Sequence, residues 1–335
     1  MATAEVETFK PELRLILDGS MGSELHDTYP KVPDFYKLWS TAYLIHKPEY
    51  IVDLHKRYIQ AGADVITTNN YSTVPRFLNN VGMLDRMEEL VKLSGELAVK
   101  AVDTMRPTTK RPILIAGCIP PLNYSFQGEK IEKMEEASLL YEKIANALKP
   151  SVHFYLCETM SSLDEAIASL TGVTRVSDKP IWISLSLQDN DKCVLHSEEP
   201  LKEVLPIILD RFPKLLAVSL NCSNHYTITK GLDTVMEVVK GRKNIKYIAA
   251  YANDLNPIPD KEAVNKLWER FDGPSGFPAK PHNLDVTNYR DTIKGWVDKG
   301  CNVVGGCCGV GPAFIEEISK HWFPAREVRL VPPKV

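Results

Sequence analysis

The sequence predicts an α/β protein of the (β/α)8 barrel type, a single domain over residues 1–335 with long loops at the strand ends. Two observations point there. Eight short apolar runs, rich in β-branched residues, recur along 335 residues. Amphipathic helical patterns separate them, so each strand is followed by a helix. A third observation weakens the competing open, doubly wound sheet: no G-x-G-x-x-G follows the first run.

The strands read in order as Leu13–Asp18, Ala63–Asn69, Pro112–Gly117, Val152–Glu158, Pro180–Leu187, Leu215–Cys222, Lys246–Tyr251 and Cys301–Gly306. They are near-continuous apolar runs, as parallel strands buried on both faces should be. The first helix, Pro48–Gly62, opens on proline and closes on glycine, with Ile51, Leu54, Tyr58 and Ile59 on one face. Further patterns cover Leu84–Val102, Ile131–Leu148, Ser162–Leu170, Pro200–Ile208, Ile228–Val239, Thr287–Val297 and Pro312–His321. Two connections are long: His26–Lys47, and the stretch after the seventh strand that includes Phe271–Pro281. Loops of that length usually carry function or move.

Composition narrows the function. The chain is 44% hydrophobic and 25% charged, with a formal net charge of −3. That is an ordinary soluble composition without the basic footprint of a nucleic-acid or anionic-membrane binder. The first residues are acidic and lack an apolar core, so no signal or transit peptide is expected, and the expected location is cytoplasmic. Seven cysteines in a long chain without a secretion signal argue against a disulfide framework. Oligomeric state is left between a monomer and a small homo-oligomer.

In such a barrel the active site lies at the C-terminal ends of the strands. There the sequence places Asp18-Gly19-Ser20, Thr67 to Tyr71, Cys157-Glu158-Thr159, Asn221-Cys222 and Gly305-Gly306-Cys307-Cys308. Adjacent cysteines in a regular strand point to opposite faces. Cys307 and Cys308 reach one centre only if the backbone turns sharply, and the flanking glycines are expected to permit that by their freedom in φ and ψ. With Cys222 as a third thiolate, the set would suit zinc with one position open. Spacing alone leaves alternatives. Cys222 reads as a buried core cysteine about as readily as a ligand, and the vicinal pair reads as a redox device. Cys118, Cys157, Cys193 and Cys301 read as structural. Glu158, a carboxylate closing an apolar strand, needs a partner. Asp18 also reads as the first residue of an Asp-Gly turn.

Taken together, these pieces resemble the homocysteine S-methyltransferase family. They are L-D-G-S-M-G-S-E-L (Leu17–Leu25), G-A-D-V-I-T-T-N-N-Y (Gly62–Tyr71), C-E-T (Cys157–Thr159), L-N-C (Leu220–Cys222) and G-G-C-C-G (Gly305–Gly309). The resemblance implies one Zn2+ held by Cys222, Cys307 and Cys308, which makes these three the catalytic centre. It implies that Asp18, Gly19 and Glu158 bind the amino-acid part of homocysteine, and that Asn221 shapes the pocket beside the metal. The chemistry agrees: a free thiol is only a few per cent ionised at pH 7, and binding to Zn2+ removes its proton. The substrate sulfur then displaces a methyl group in line from a sulfonium or ammonium donor, giving methionine. A cationic donor favours aromatic faces, and Tyr71, Tyr124, Trp39 and Tyr251 are the candidates, with ordinary packing the alternative for each. The segments Gly117–Tyr124 and Tyr251–Leu255 depart from the family's stretches at the donor side. Donors are ranked S-methylmethionine, then S-adenosylmethionine, then betaine. Competing readings are methyl transfer to another small thiol or a selenol, a non-catalytic zinc or thiol-binding barrel, and a thiol–disulfide protein.

Overall fold

The structure is a computed structural model, and it describes residues 14–109, 111–128, 131, 133–272 and 284–322. Much of the connection Phe271–Pro281 lies outside the described residues. Eight parallel strands form the sheet: β1 (Leu15–Ile16), β2 (Val65–Thr67), β3 (Leu114–Ile119), β4 (Phe154–Met160), β5 (Ile181–Leu185), β6 (Leu215–Asn221), β7 (Tyr247–Tyr251) and β8 (Val303–Val304). From β2 to β8 each strand pairs with its sequence neighbours, and β8 pairs with β1. A parallel bridge between Leu17 and Val65 joins β1 to β2 and closes the barrel. Closure leaves no unpaired edge, as a sheet of eight strands permits.

The barrel helices are α1 (Pro48–Ala61), α2 (Met87–Met105), α3 (Met134–Leu148), α4 (Leu163–Val176), α5 (Leu201–Arg211), α6 (His225–Val239), α7 (Val286–Lys299) and α8 (Pro312–Trp322). Their ends follow local chemistry. Pro48 opens α1, and Gly62 closes it with φ of 112°. The Ser162 hydroxyl accepts from the Glu165 N–H at the start of α4, and Asn224 caps α6. Asp285 caps α7.

Several elements differ from the sequence reading. The connection His26–Lys47 holds short helices at Phe35–Leu38 and Thr41–His46, with Gly22–Thr28 running into it. Another short helix spans Pro75–Leu78, and a longer one, Lys261–Asp272, lies between β7 and α7. Leu84–Arg86 is a 3-10 turn that leads into α2.

Along each strand, alternate residues enter the barrel. Its floor is aromatic: Trp182 packs against Phe154 and Tyr247, with ring centroids 4.3 Å and 5.4 Å away. All three stand near the N-terminal ends of their strands and are fully buried. Above them lie Leu17, Ala116, Leu156 and Ala249, and near the top Tyr251. Outward residues such as Ile16, Ile115 and Val218 pack on the helices in the larger outer core. The floor is sealed by bulk, and the polar residues collect at the opposite rim.

Candidate active site

A cavity open to solvent sits at the C-terminal rim. Cys222, Cys307 and Cys308 line it together with Asp18, Gly19, Glu158 and Tyr71. The three sulfurs all lie within 4.8 Å of one another, and those of Cys222 and Cys308 are 3.8 Å apart.

The backbone reaches this convergence by different means at each cysteine. Cys222 follows β6 directly and takes a left-handed conformation, φ 51°. For a side-chain-bearing residue that costs on the order of 1–3 kcal/mol and persists only when neighbours enforce it. Asn253 is one such neighbour: its Nδ2 donates to the Cys222 carbonyl at 2.8 Å and lies 3.9 Å from the Cys222 sulfur. Cys307 and Cys308 sit in a turn. Cys307 N donates to Ala252 O, Val310 N to Cys307 O, and Asp254 N to Cys308 O at 2.7 Å. The flanking glycines serve this turn differently from the expectation. Gly305 and Gly306 have no positive φ; they are needed for space. A Cβ on Gly306 would stand 2.2 Å from Val310 Cγ1, and one on Gly305 would stand 2.6 Å from Leu17 Cβ. Only Gly309, φ 84°, supplies the left-handed angle. In the protein alone, Cys307 holds its proton firmly. Its hydrogen bonds with the Cys222 and Cys308 thiols push its pKa up first, and burial adds to them.

Two buried carboxylates stand beside the sulfurs. Asp18 continues β1. Its Oδ2 accepts from Thr67 N at 2.8 Å and its Oδ1 from Thr67 Oγ1 at 3.0 Å. Burial nevertheless pushes its pKa up to about 8, with the Thr67 hydrogen bonds opposing and the charge of Glu158 adding. Glu158 projects from β4, two residues beyond the interior Leu156, and so shares its inward face. Burial pushes it up to about 7. Its Oε1 accepts from Cys118 Sγ at 3.0 Å, and its Oε2 from Tyr251 OH at 3.5 Å. Cys118, read from sequence as structural, therefore touches this carboxylate. Beyond Glu158 the β4 register shifts between Cys157 and Met160, and Thr159 takes φ 60°. This irregularity brings Thr159 to the cavity as well.

Asn221 is fully buried and stands behind the cavity. Its Oδ1 accepts from Thr159 N at 3.0 Å and Ser184 Oγ at 2.6 Å, and its Nδ2 donates to Thr159 Oγ1 at 2.8 Å. The same Nδ2 lies 3.9 Å from the Cys307 sulfur. It ties β4, β5 and β6 together beneath the thiols. Gly19 lies under the Val310 carbonyl, which a Cβ would approach to 2.1 Å.

Of the four aromatic candidates, Trp39, Tyr71 and Tyr251 line the cavity, and Tyr71 OH bonds Ser125 Oγ at 2.7 Å. Tyr124 does not. It stacks on Trp268 with centroids 4.2 Å apart, and the Arg76 guanidinium lies 4.1 Å from its ring. Trp268 faces the cavity instead, with Nε1 donating to Ser125 O at 2.9 Å. Phe77 and Phe126 complete the apolar wall. Nothing in the local sequence around Trp268, Phe77 or Phe126 separates them from ordinary core aromatics.

Fold and cavity together define the class: an enzyme barrel whose rim gathers three thiols, two carboxylates and an aromatic wall. The chain belongs to the homocysteine S-methyltransferase family, whose model matches residues 15–322. It is a methyltransferase. The homocysteine S-methyltransferase of Escherichia coli (strain K12) is 24% identical over 311 residues, 90% of this chain and 93% of that protein. A selenocysteine Se-methyltransferase of Brassica oleracea var. italica is 26% identical over 349 residues, 93% of this chain and 90% of that protein. The metallated form of the homocysteine methyltransferase MmuM from Escherichia coli shares the fold, with a TM-score of 0.74 and 23% identity. That alignment covers 92% of this chain and 96% of that one. No helix among the described residues is long and apolar enough to cross a membrane.

Proposed function

We propose that this protein is a zinc-dependent homocysteine S-methyltransferase that makes methionine from homocysteine and a cationic methyl donor. One observation carries the reading: three cysteine sulfurs converge beside two buried carboxylates within a single cavity.

The donor set fits the ion. Thiolates around Zn2+ bind at about 2.3 Å, which separates tetrahedral ligands by about 3.8 Å. The Cys222–Cys308 separation already has that value, 3.8 Å. Cys222, Cys307 and Cys308 would hold the metal, and Asn221 and Asn253 present amide N–H groups to two of the sulfurs. When bound there, Zn2+ would supply a thiol ionised at neutral pH.

The remaining work falls to the protein. Asp18 and Glu158 are poorly solvated carboxylates held near neutral pKa. A substrate ammonium brought beside them replaces the missing water and favours their charged forms. That contact orients homocysteine with its sulfur toward the cysteines. Trp39, Tyr71, Phe77, Phe126, Tyr251 and Trp268 line the same cavity. Their faces attract a sulfonium or quaternary ammonium. They also exclude water, and an apolar enclosure favours a reaction in which charge is lost at the reacting centres, a thiolate and an onium cation giving a thioether and a neutral sulfide or amine group. A new S–CH3 bond forms on homocysteine as the donor's S–CH3 bond, or N–CH3 bond in an ammonium donor, breaks, and the bonding pair stays on the donor sulfur or nitrogen. Holding the two substrates in line supplies much of the rate.

S-methylmethionine is the first expected donor, S-adenosylmethionine the second and betaine the third. The test is methionine formation by protein purified under reducing conditions, with homocysteine and each donor in turn. Turnover with one donor supports the reading, and no turnover with any of them refutes it. An arm with selenocysteine in place of homocysteine measures acceptor breadth.

A further inference from the structure

We infer that Cys118 is a positioning residue for the acceptor substrate: its thiol holds Glu158 in the orientation that receives the substrate ammonium. The inference rests on the reading of Glu158 as an ammonium-binding group.

Cys118 lies on β3, in step with the interior residues Leu114 and Ala116, so its side chain points toward the top of the barrel. It is fully buried and does not line the cavity. Its backbone is clamped by the residues that follow β2: Cys118 N donates to Thr68 Oγ1 at 2.9 Å, and Asn70 Nδ2 donates to Cys118 O at 2.9 Å. The backbone that carries the sulfur is therefore fixed, and the sulfur meets Glu158 Oε1 at 3.0 Å. Among the described residues, the other carboxylate oxygen has only the longer contact with Tyr251 OH, 3.5 Å. Cys118 is thus the firm anchor of this carboxylate.

The choice of a thiol makes sense here. Burial, reinforced by the charge of Glu158, pushes the Cys118 pKa well up, so the group stays an S–H donor. It cannot compete with the ammonium as a second cation, as a lysine or arginine would. One S–H bond orients the carboxylate and leaves its remaining lone pairs for the ligand. Without it the carboxylate is free to turn about its terminal torsion, which is broad for glutamate.

The test measures binding to the zinc-loaded protein by calorimetry, with homocysteine and with 4-mercaptobutyrate, which has the thiol and carboxylate but no amino group. Cys118→Ala should weaken homocysteine binding about tenfold or more, the size of one hydrogen bond to a charged group. It should leave 4-mercaptobutyrate affinity, zinc content and donor KM unchanged, and Cys118→Ser should restore homocysteine binding. Equal weakening of both thiols, or no weakening of either, overturns the positioning role. Glu158→Gln separates the two levels. If it weakens homocysteine binding and Cys118→Ala does not, only the role of Cys118 falls. If neither matters, the assignment of Glu158 falls with it.

Discussion

Replacing Asn253 with alanine should weaken metal binding while leaving the barrel folded. Asn253 follows β7, outside the cysteine set, yet its side chain clamps the Cys222 carbonyl at 2.8 Å and approaches the Cys222 sulfur to 3.9 Å. Cys222 needs such a clamp because its φ of 51° is unfavourable for a cysteine. Alanine removes the buried amide donor and leaves the Cys222 carbonyl with the long contact from Ser186 Oγ, 3.4 Å, in place of a firm one, a loss of about 1–3 kcal/mol. If that loss is felt only when the cysteines are held in place for the ion, zinc affinity falls about 5- to 150-fold. Outer-shell partners of metal ligands typically give losses of about 10–100-fold. The assay is competition for zinc against a chromophoric chelator, with thermal unfolding of the metal-free form alongside. Unchanged affinity in Asn253→Ala, with the melting temperature also unchanged, would refute the claim that Asn253 holds Cys222 in its ligating conformation.

Further outcomes follow from the same geometry. Gly306→Ala places a Cβ 2.2 Å from Val310 Cγ1, so the turn bearing Cys307 and Cys308 must shift. Zinc content measured after reducing purification should fall well below one per chain, and full occupancy would show that the turn tolerates the change. Asp18 and Glu158 have folded-state pKa values raised to about 8 and about 7. Their contribution to the stability of the metal-free protein is full below about pH 4 and is lost as pH rises through 7 and 8. Denaturant unfolding should therefore show a smaller loss of stability between pH 5 and pH 8 in Asp18→Asn than in the unsubstituted protein, and equal losses would contradict the assignment. The buried His55 and His196 have the opposite sign. Burial lowers both to about 3, so their contribution is full above about pH 6.5 and disappears as pH falls toward 3. Replacing His55 with glutamine should flatten the acid limb of the stability profile.

Much of the architecture was legible because parallel barrel strands are apolar on both faces and announce themselves as short runs. Each of the eight runs meets a strand, but β3 and β4 extend past the ends of their runs to Ile119 and Met160, and β1 and β8 shrink to Leu15–Ile16 and Val303–Val304. Their sequence neighbours Asp18 and Gly305 belong to the rim, where the chain leaves the ladder to build the cavity. The short helices of the first loop were not legible, since Phe35–Leu38 spans barely one turn and shows no period. The convergence of residues on one cavity was legible where residue chemistry is unusual, as in two cysteines among glycines or a carboxylate closing an apolar strand. It was opaque where contacts are long-range. Trp268, on the far side of β7 in sequence, reaches the cavity by stacking on Tyr124, and that stack removes Tyr124 from it. Cys118 looked like a core thiol because only the β3–β4 register shows that it faces Glu158. The glycines of Gly305-Gly306 were recognised as necessary, but for backbone freedom, whereas packing against Leu17 and Val310 is what requires them.

The central claim is that Cys222, Cys307 and Cys308 hold one metal ion with a position left for the substrate sulfur. The most direct measurement is zinc-edge X-ray absorption of the zinc-loaded protein before and after homocysteine is added. The account predicts three sulfur neighbours at about 2.3 Å in the resting protein and four with homocysteine bound. Fewer than three sulfurs at the start, or a count that does not change when homocysteine binds, would contradict it.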